Sequence, residues 1–286
     1  MVSLTGLTKK KILRKVDLHI HTYFSDGSFS PEEVIEIAKN KGFSAIAITD
    51  HDSVNGISRA KTAGKKLGVE VIPAVELTAE EKDTEIHILG YFIDYKDENF
   101  RKFLKSLRQA RIERTFKMVS KLKKLGLDID VEDVLETAGP GAIGRLHLAF
   151  CLIRKGYVNS IYDAFAKYLG EGKAAYVRKK RLTPGETLQI IKNLGGVSVL
   201  AHPHTIKNKK MVEDIIKTGI EGIEVYHSDH SLKNSCYFRK LAEKYGLIIS
   251  GGSDCHGLRK GKILLGSVSV PYHVVEELRS KSKIND

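Results

Sequence analysis

Five amphipathic segments of this chain each run into a glycine, and each glycine leads into a short run of branched apolar residues. The segments are 31–41, 54–67, 184–194, 211–218 and 232–245, and the glycines are Gly42, Gly68, Gly195, Gly219 and Gly246. A glycine after an amphipathic stretch is the usual stop of a helix, because it accepts the left-handed conformation that closes the last turn. The first segment also has a helix start, Ser30-Pro31-Glu32-Glu33: a capping hydroxyl, proline at the first position and two acids in the first turn. The runs that follow, 45–50, 70–78, 196–202, 222–227 and 247–252, have the composition of strands, as do 16–22, 86–93 and 265–270. Alternation of this kind predicts parallel strands joined by crossover helices, in a closed barrel or a doubly wound sheet.

The alternation stops between about 97 and 180. Residues 97–126 form one long helical pattern dense in Lys and Arg, and helix-like pieces follow at 131–137, 145–155 and 161–168. The organisation expected is an α/β body made of residues 1–96 and 181–286 with a helical insertion at 97–180. The tail, 280–286, is expected to fray.

With 286 residues, 42% hydrophobic and 29% charged, the chain can bury a substantial core. Its three cysteines, Cys151, Cys236 and Cys255, form no C-x-x-C pair, so neither a disulfide framework nor a zinc ribbon is indicated. No apolar run reaches the ~18 residues of a membrane span, and the start MVSLTGLTKKKILRK lacks a secretory apolar core. A cytoplasmic protein with no membrane association and no obligate protein partner is expected. The excess of 47 Lys and Arg over 35 Asp and Glu gives a formal charge of +12, which favours an anionic substrate if it is clustered and a plain solvated surface if it is not.

Histidines and acids collect at the ends of the strand runs. His19 and His21 lie two apart on a strand, which puts them on one face, with Asp26 five residues on. His51 follows the run 45–50 in Thr-Asp-His-Asp, Glu76 lies near the end of 70–78, and His202 ends 196–202. Asp254 and His256 follow 247–252 with the spacing of the first pair. In parallel α/β folds the carboxyl ends of the strands share one rim, so these residues should converge there. His87 does not fit, because it lies near the start of its run. Pattern alone reads it, like His147, His204, His227, His230 and His273, as a surface or satisfied histidine.

Taken in order, His19-x-His21, Asp26-Gly27, Thr49-Asp-His51-Asp, Pro73-x-x-Glu76, His87-x-Leu-Gly, Ala201-His202-Pro203 and Gly252-Ser-Asp254-x-His256 resemble the PHP (polymerase and histidinol phosphatase) family. The resemblance implies a distorted seven-stranded β/α barrel holding two or three divalent transition-metal ions. It implies that His19, His21, Glu76 and Asp254 hold one ion. Glu76 would bridge to a second ion, held also by His87 and His202, and Asp26, His51 and His256 would hold the third. Glu76, Asp254 and His202 would act in catalysis. Mixed imidazole and carboxylate ligands suit Mn, Zn or Fe better than Mg. Clustered ions of this kind make hydroxide available at neutral pH and neutralise a phosphoryl group under attack. Cys255, between Asp254 and His256, should face away from them.

Within the family, Gly144-Arg145-Leu-His147, Tyr168-Leu-Gly-Glu-Gly-Lys173 and Glu224-Val-Tyr-His227-Ser-Asp-His230 resemble the subgroup acting on nucleoside 3′,5′-bisphosphates and short oligonucleotides. On that resemblance Arg145, His147, Lys173 and His230 are candidate substrate contacts. The chain departs from the subgroup at Leu146, where proline is usual, at Phe150, and at His204-Thr205, which replaces Gly-Arg. The function expected is a metal-dependent phosphoesterase acting on a nucleotide bisphosphate or a short 5′-phosphorylated oligonucleotide through metal-activated hydroxide. Histidinol phosphatase is a second enzymatic reading, and a non-catalytic, metal-stabilised binding module is a third. Asp52 and His204 are candidates for the acid that protonates the leaving group.

Overall fold

The computed structural model describes residues 14–138, 143–178 and 182–284. The first 13 residues, the expected boundary at 180 and 181, and the last two residues of the tail lie outside the described residues. Eight strands form one sheet: β1 (Lys15–Ile20), β2 (Ala45–Ile48), β3 (Glu70–Glu81), β4 (Thr84–Tyr91), β5 (Val197–Leu200), β6 (Gly222–His227), β7 (Ile248–Gly252) and β8 (Val270–Pro271). Strands β1 to β7 follow one another in chain order, and β8 pairs antiparallel with β1 at the edge. Beyond the end of β7 the backbone returns to β1: His21 N–H donates to the Cys255 carbonyl at 2.9 Å, and Ile20 bridges Cys255 in parallel. The sheet is thereby a nearly closed barrel.

The helices that alternate with these strands are α1 (Pro31–Asn40), α2 (Ile57–Leu67), α7 (Pro184–Asn193), α8 (Lys209–Lys217) and α9 (Leu232–Tyr245). Each stays within a few residues of its expected span. Ser30 caps α1 in a reciprocal box with Glu33, and Gly68 and Gly246 close α2 and α9 in the left-handed conformation. Between β4 and α7 run α3 (Glu98–Lys124), α4 (Val131–Ala138), α5 (Arg145–Arg154) and α6 (Ile161–Ala164), the last continuing as a π-helical turn, Phe165–Leu169. Phe100 and Leu104 anchor the first half of α3 in the barrel's outer core, while Met118, Val119 and Leu122 join a separate apolar cluster with α4 to α6. Among the described residues no helix is long and apolar enough to cross a membrane.

Three expectations need correction. Strand β4 is antiparallel to both β3 and β5, so the sheet is not uniformly parallel. The run 265–270 is mostly loop; Gly266 takes a left-handed turn there, and its N–H is held by Asp17. The stretch after it, which the pattern had assigned to no element, forms a helix, α10 (His273–Lys281).

Candidate active site

Two irregularities in the sheet aim side chains into the barrel. Against β2, Val16 pairs with Ala45 and Asp17 with Ile46, yet Ile20 pairs with Ile48, so β1 carries one extra residue. That bulge lets Val16 and Leu18 join the inner apolar cluster while His19 turns towards the polar end. The Tyr91 hydroxyl donates to the Leu18 carbonyl at 2.8 Å inside this bulge. Strand β6 shifts in the same way between Glu224 and Tyr226, which brings both Glu224 and His227 to the interior. The barrel is therefore apolar at one end, with Ile72, Ala74, Leu89, Tyr91, Val197 and Val199, and lined by imidazoles and carboxylates at the other.

At that polar end Glu76, fully buried, is the centre of the arrangement. Its Oε1 lies 3.0 Å from His87 Nδ1 and 3.0 Å from His202 Nε2. Its Oε2 lies 3.2 Å from His19 Nε2, 3.1 Å from His21 Nε2 and 3.2 Å from His51 Nδ1. Asp254 Oδ1 lies 3.4 Å from His19 Nε2 and 3.2 Å from His21 Nε2. Asp26 faces His256 Nε2 at 3.3 Å, His21 Nδ1 at 3.6 Å and His51 Nε2 at 3.9 Å. All nine expected ligand residues thus come together. His87 is among them because β4 runs antiparallel, which puts the start of that strand on the rim where its neighbours end. Two members, His202 (φ 26°) and Asp254 (φ 50°), hold left-handed backbone conformations, a strain that commonly marks functional positions.

The electrostatics express a demand for positive charge. Burial opposes ionisation of Glu76, yet His51, His19 and His87 hold its carboxyl well below the usual range. Burial likewise opposes Asp26 and Asp254, and neighbouring imidazoles hold both well below theirs. Burial alone would lower the imidazoles, but Glu224, Glu76 and Asp254 keep His19 well above its ordinary value. Asp254 and Glu76 carry His21 up to about 9, and Glu76 carries His87 up to about 10. His51 yields to burial and falls to about 3, and burial lowers His202 as well. Asp26 Oδ1, His51 Nδ1 and His202 Nδ1 are buried with no hydrogen-bond partner, and His19 Nε2 faces His21 Nε2 at 3.1 Å. Carboxylates crowded by imidazole nitrogens, some without a partner, fit divalent transition ions of mixed N and O ligation.

Several supporting residues were not among the expected site residues. Glu224 accepts from His19 Nδ1 at 3.0 Å and from the His202 N–H at 2.7 Å, fixing one ring and one strand end with a single carboxylate. Asp50 accepts from Thr22 Oγ1 and Ser25 Oγ, both at 2.6 Å, and so shapes the loop that carries Asp26. Asp17 accepts from the Ser253 N–H at 2.8 Å, just before Asp254. A charged residue inside an apolar strand, as in Gly222–His227, was the available hint for Glu224. His227 accepts from the Asp229 N–H through Nδ1, which leaves its Nε2 3.6 Å from Asp254 Oδ2. Cys255 packs in the outer cluster with Ile20 and Ile48, away from the site.

The candidate substrate residues are more dispersed. His147 is buried at the start of α5 with Nε2 unpartnered; burial and Arg259 lower its pKa, against the pull of Asp26. His230 donates through Nδ1 to the Val225 carbonyl at 2.9 Å, and its ring lies beside His204 and His227. Arg145 stays among the insertion's own residues, over the rings of Phe165 and Tyr176 and 3.4 Å from the Leu169 carbonyl. Lys173 is exposed. Of the two candidate acids, Asp52 is paired with Arg111, and His204, lowered to about 4 by burial, sits in the histidine group with His227 and His230.

The PHP domain model matches residues 17–179. The chain is 31% identical over 255 residues to the 3′,5′-nucleoside bisphosphate phosphatase of Chromobacterium violaceum, covering 87% of this chain and 90% of that protein. It is 30% identical to the phosphoribosyl 1,2-cyclic phosphate 1,2-diphosphodiesterase of Eggerthella lenta, over 84% and 94% of the two chains. It is 31% identical to a 5′-3′ exoribonuclease of Haemophilus influenzae, over 85% and 90%. A solved structure from Bifidobacterium adolescentis, regarded as a metal-dependent phosphoesterase, superposes with a TM-score of 0.80 at 30% identity, over 94% and 96%. A barrel of this topology, an imidazole and carboxylate rim of this composition and relatives of this extent agree: the chain belongs to the PHP family and is a metal-dependent phosphoesterase.

Proposed function

We propose that the protein hydrolyses phosphate monoesters of nucleotides, either nucleoside 3′,5′-bisphosphates or short 5′-phosphorylated oligonucleotides, with two or three Mn, Zn or Fe ions. The observation that carries this reading is the division of Glu76: one carboxylate oxygen faces His87 and His202, the other His19, His21 and His51. A carboxylate divided in this way is suited to bridge two ions. His19, His21 and Asp254 would complete one side of the bridge, and His87 and His202 the other. Asp26, His51 and His256 would hold a third ion. When bound, the ions supply Lewis acidity towards a phosphoryl oxygen and lower the pKa of water. The chain's own residues orient this centre. Glu224 fixes the His19 ring through Nδ1, Asp50 fixes the Asp26 loop, and Arg111, held by Asp52, stands beside His51 at the mouth.

Residues 1–96 and 181–286 would act as the barrel unit and 97–180 as a helical insertion over its rim, a division supported by the insertion's separate apolar cluster. The substrate choice follows the relatives named for nucleoside bisphosphates and RNA ends. Assaying adenosine 3′,5′-bisphosphate, a 5′-phosphorylated oligoribonucleotide, a ribose 1,2-cyclic phosphate and histidinol phosphate, with and without Mn, tests it. Metal-dependent turnover of the first two above the others is expected. Preference for the cyclic phosphate or for histidinol phosphate would replace the substrate class, and no turnover of any would favour the binding-module reading.

A further inference from the structure

We propose that the cleft along the first half of α3 binds the chain of a single-stranded oligonucleotide leading away from the phosphate under attack. The favoured substrates are then 5′-phosphorylated oligonucleotides of about three to five nucleotides, ahead of mononucleotide bisphosphates. This deepens the phosphoesterase reading and rests on it.

The cleft, about 600 Å³, begins at His51 and Asp52 and extends along α3 past Arg111, Arg108 and Lys105 to Arg101. Phe24, Val54 and Leu104 give it an apolar side. Arg101, Lys105 and Arg108 recur at helical spacing, so they project from one face. That face is fixed because Phe100 and Leu104 seat α3 in the barrel's outer core. Among the described residues lining the cleft, Asp52 is the single acid, and its carboxylate is paired with Arg111. At ~1.5 Å per residue, the ten steps from Arg101 to Arg111 span about 15 Å, or roughly four stacked nucleotides. A mononucleotide bound at the ligand cluster has no phosphate to meet Arg101, whereas an oligonucleotide presents one at each step. Repeated cations beside an aromatic ring are the pattern by which single strands are held: phosphates track the charge and a base stacks on the ring.

The test compares wild type with an Arg101→Gln, Lys105→Gln, Arg108→Gln variant on two substrates, adenosine 3′,5′-bisphosphate and a 5′-phosphorylated pentaribonucleotide. The ratio of kcat/KM for pentamer over bisphosphate is expected to fall at least about tenfold, mainly through KM. The salt dependence of the pentamer's kcat/KM should become shallower by about two units, at ~0.7 per phosphate contact for a single strand. A charge-keeping Arg101→Lys, Arg108→Lys variant should retain most of the preference, and thermal melting checks that each variant is folded. A ratio unchanged by the triple substitution overturns the proposal. Anisotropy of a fluorescein-labelled pentamer in EDTA reads the cleft without turnover. If neither substrate is hydrolysed but the triple variant binds the labelled pentamer at least tenfold more weakly, the hydrolytic reading fails and the cleft assignment stands. Equal binding by both proteins overturns the cleft assignment.

Discussion

Glu76 and Glu224 are both buried carboxylates facing His19, yet they have different work. Glu76 is surrounded by five imidazoles divided between its two oxygens, so Glu76→Ala should cost more than one ion per chain, whereas His87→Ala should remove at most one. Elemental analysis of the two purified variants reads this directly, and equal, full occupancy in both would defeat the bridging role. Glu224 touches the back of one ring and a backbone N–H. Its loss should leave the ligand set complete but loosely aimed: Glu224→Gln is expected to weaken metal affinity about 10- to 100-fold with an unchanged circular dichroism spectrum. Titration against a competing chelator measures it, and wild-type affinity would make Glu224 a packing residue only. Distance along the chain explains why the sequence separated these two so poorly. Glu76 lies near the end of the expected run 70–78, where ligands are sought, although β3 itself continues to Glu81, while Glu224 lies within its run, and only the bulge in β6 shows which way it turns.

At the scale of elements, the helices were largely legible, because caps and closing glycines act within a few residues: α1, α2, α7, α8 and α9 all fall close to their spacing-derived spans. Strand direction was misread, although the seven residues between the runs 70–78 and 86–93 are too few for a crossover between parallel strands. Nothing local in Thr84–Tyr91 records that it runs against its neighbours, and that direction is what turns His87 from a residue at the wrong end into one on the rim. Alternation alone left barrel closure open and the family resemblance supplied it, because closure depends on contact between the first and seventh strands. Gly252 is where they touch: a Cβ there would lie 2.4 Å from both His19 Cβ and His19 N. Gly252→Ala should therefore force β1 and β7 apart at His19, an expected ligand residue. Overpacking of this kind costs about 1–3 kcal/mol, or roughly 2–10 °C in Tm for a chain of this size. Activity should fall further than stability does, because His19 moves. Calorimetry with a parallel assay checks both, and a variant matching wild type in Tm and turnover would mean that the strands do not meet so closely.

For the whole molecule, the barrel carries buried negative charge at one end that must be neutralised by protons or by metal ions. Glu76, Asp26, Asp254 and Glu224 are all held below their ordinary values despite burial, by neighbouring imidazoles. In the metal-free protein those imidazoles supply the charge, with His21 raised to about 9 and His87 to about 10 from an ordinary 6.5. Raised histidines bind protons in the fold that the unfolded chain has already released. Their contribution is complete below about pH 6.5 and is lost as pH rises through 9 to 10. His51, lowered to about 3, acts in the opposite sense and only below its ordinary value, so it adds nothing to that loss. Divalent ions keep their charge across this range and bind the neutral imidazoles, so loading should substitute metal for protons. The expected result is a Tm that falls steadily from pH 7 to pH 10 in EDTA-treated protein and much less in Mn-loaded protein, the gap widening with pH. Scanning calorimetry of both forms at four pH values measures it. Parallel curves would mean that the ions do not take over the charge those protons supply, and the convergence of nine expected ligand residues on one rim would need another explanation.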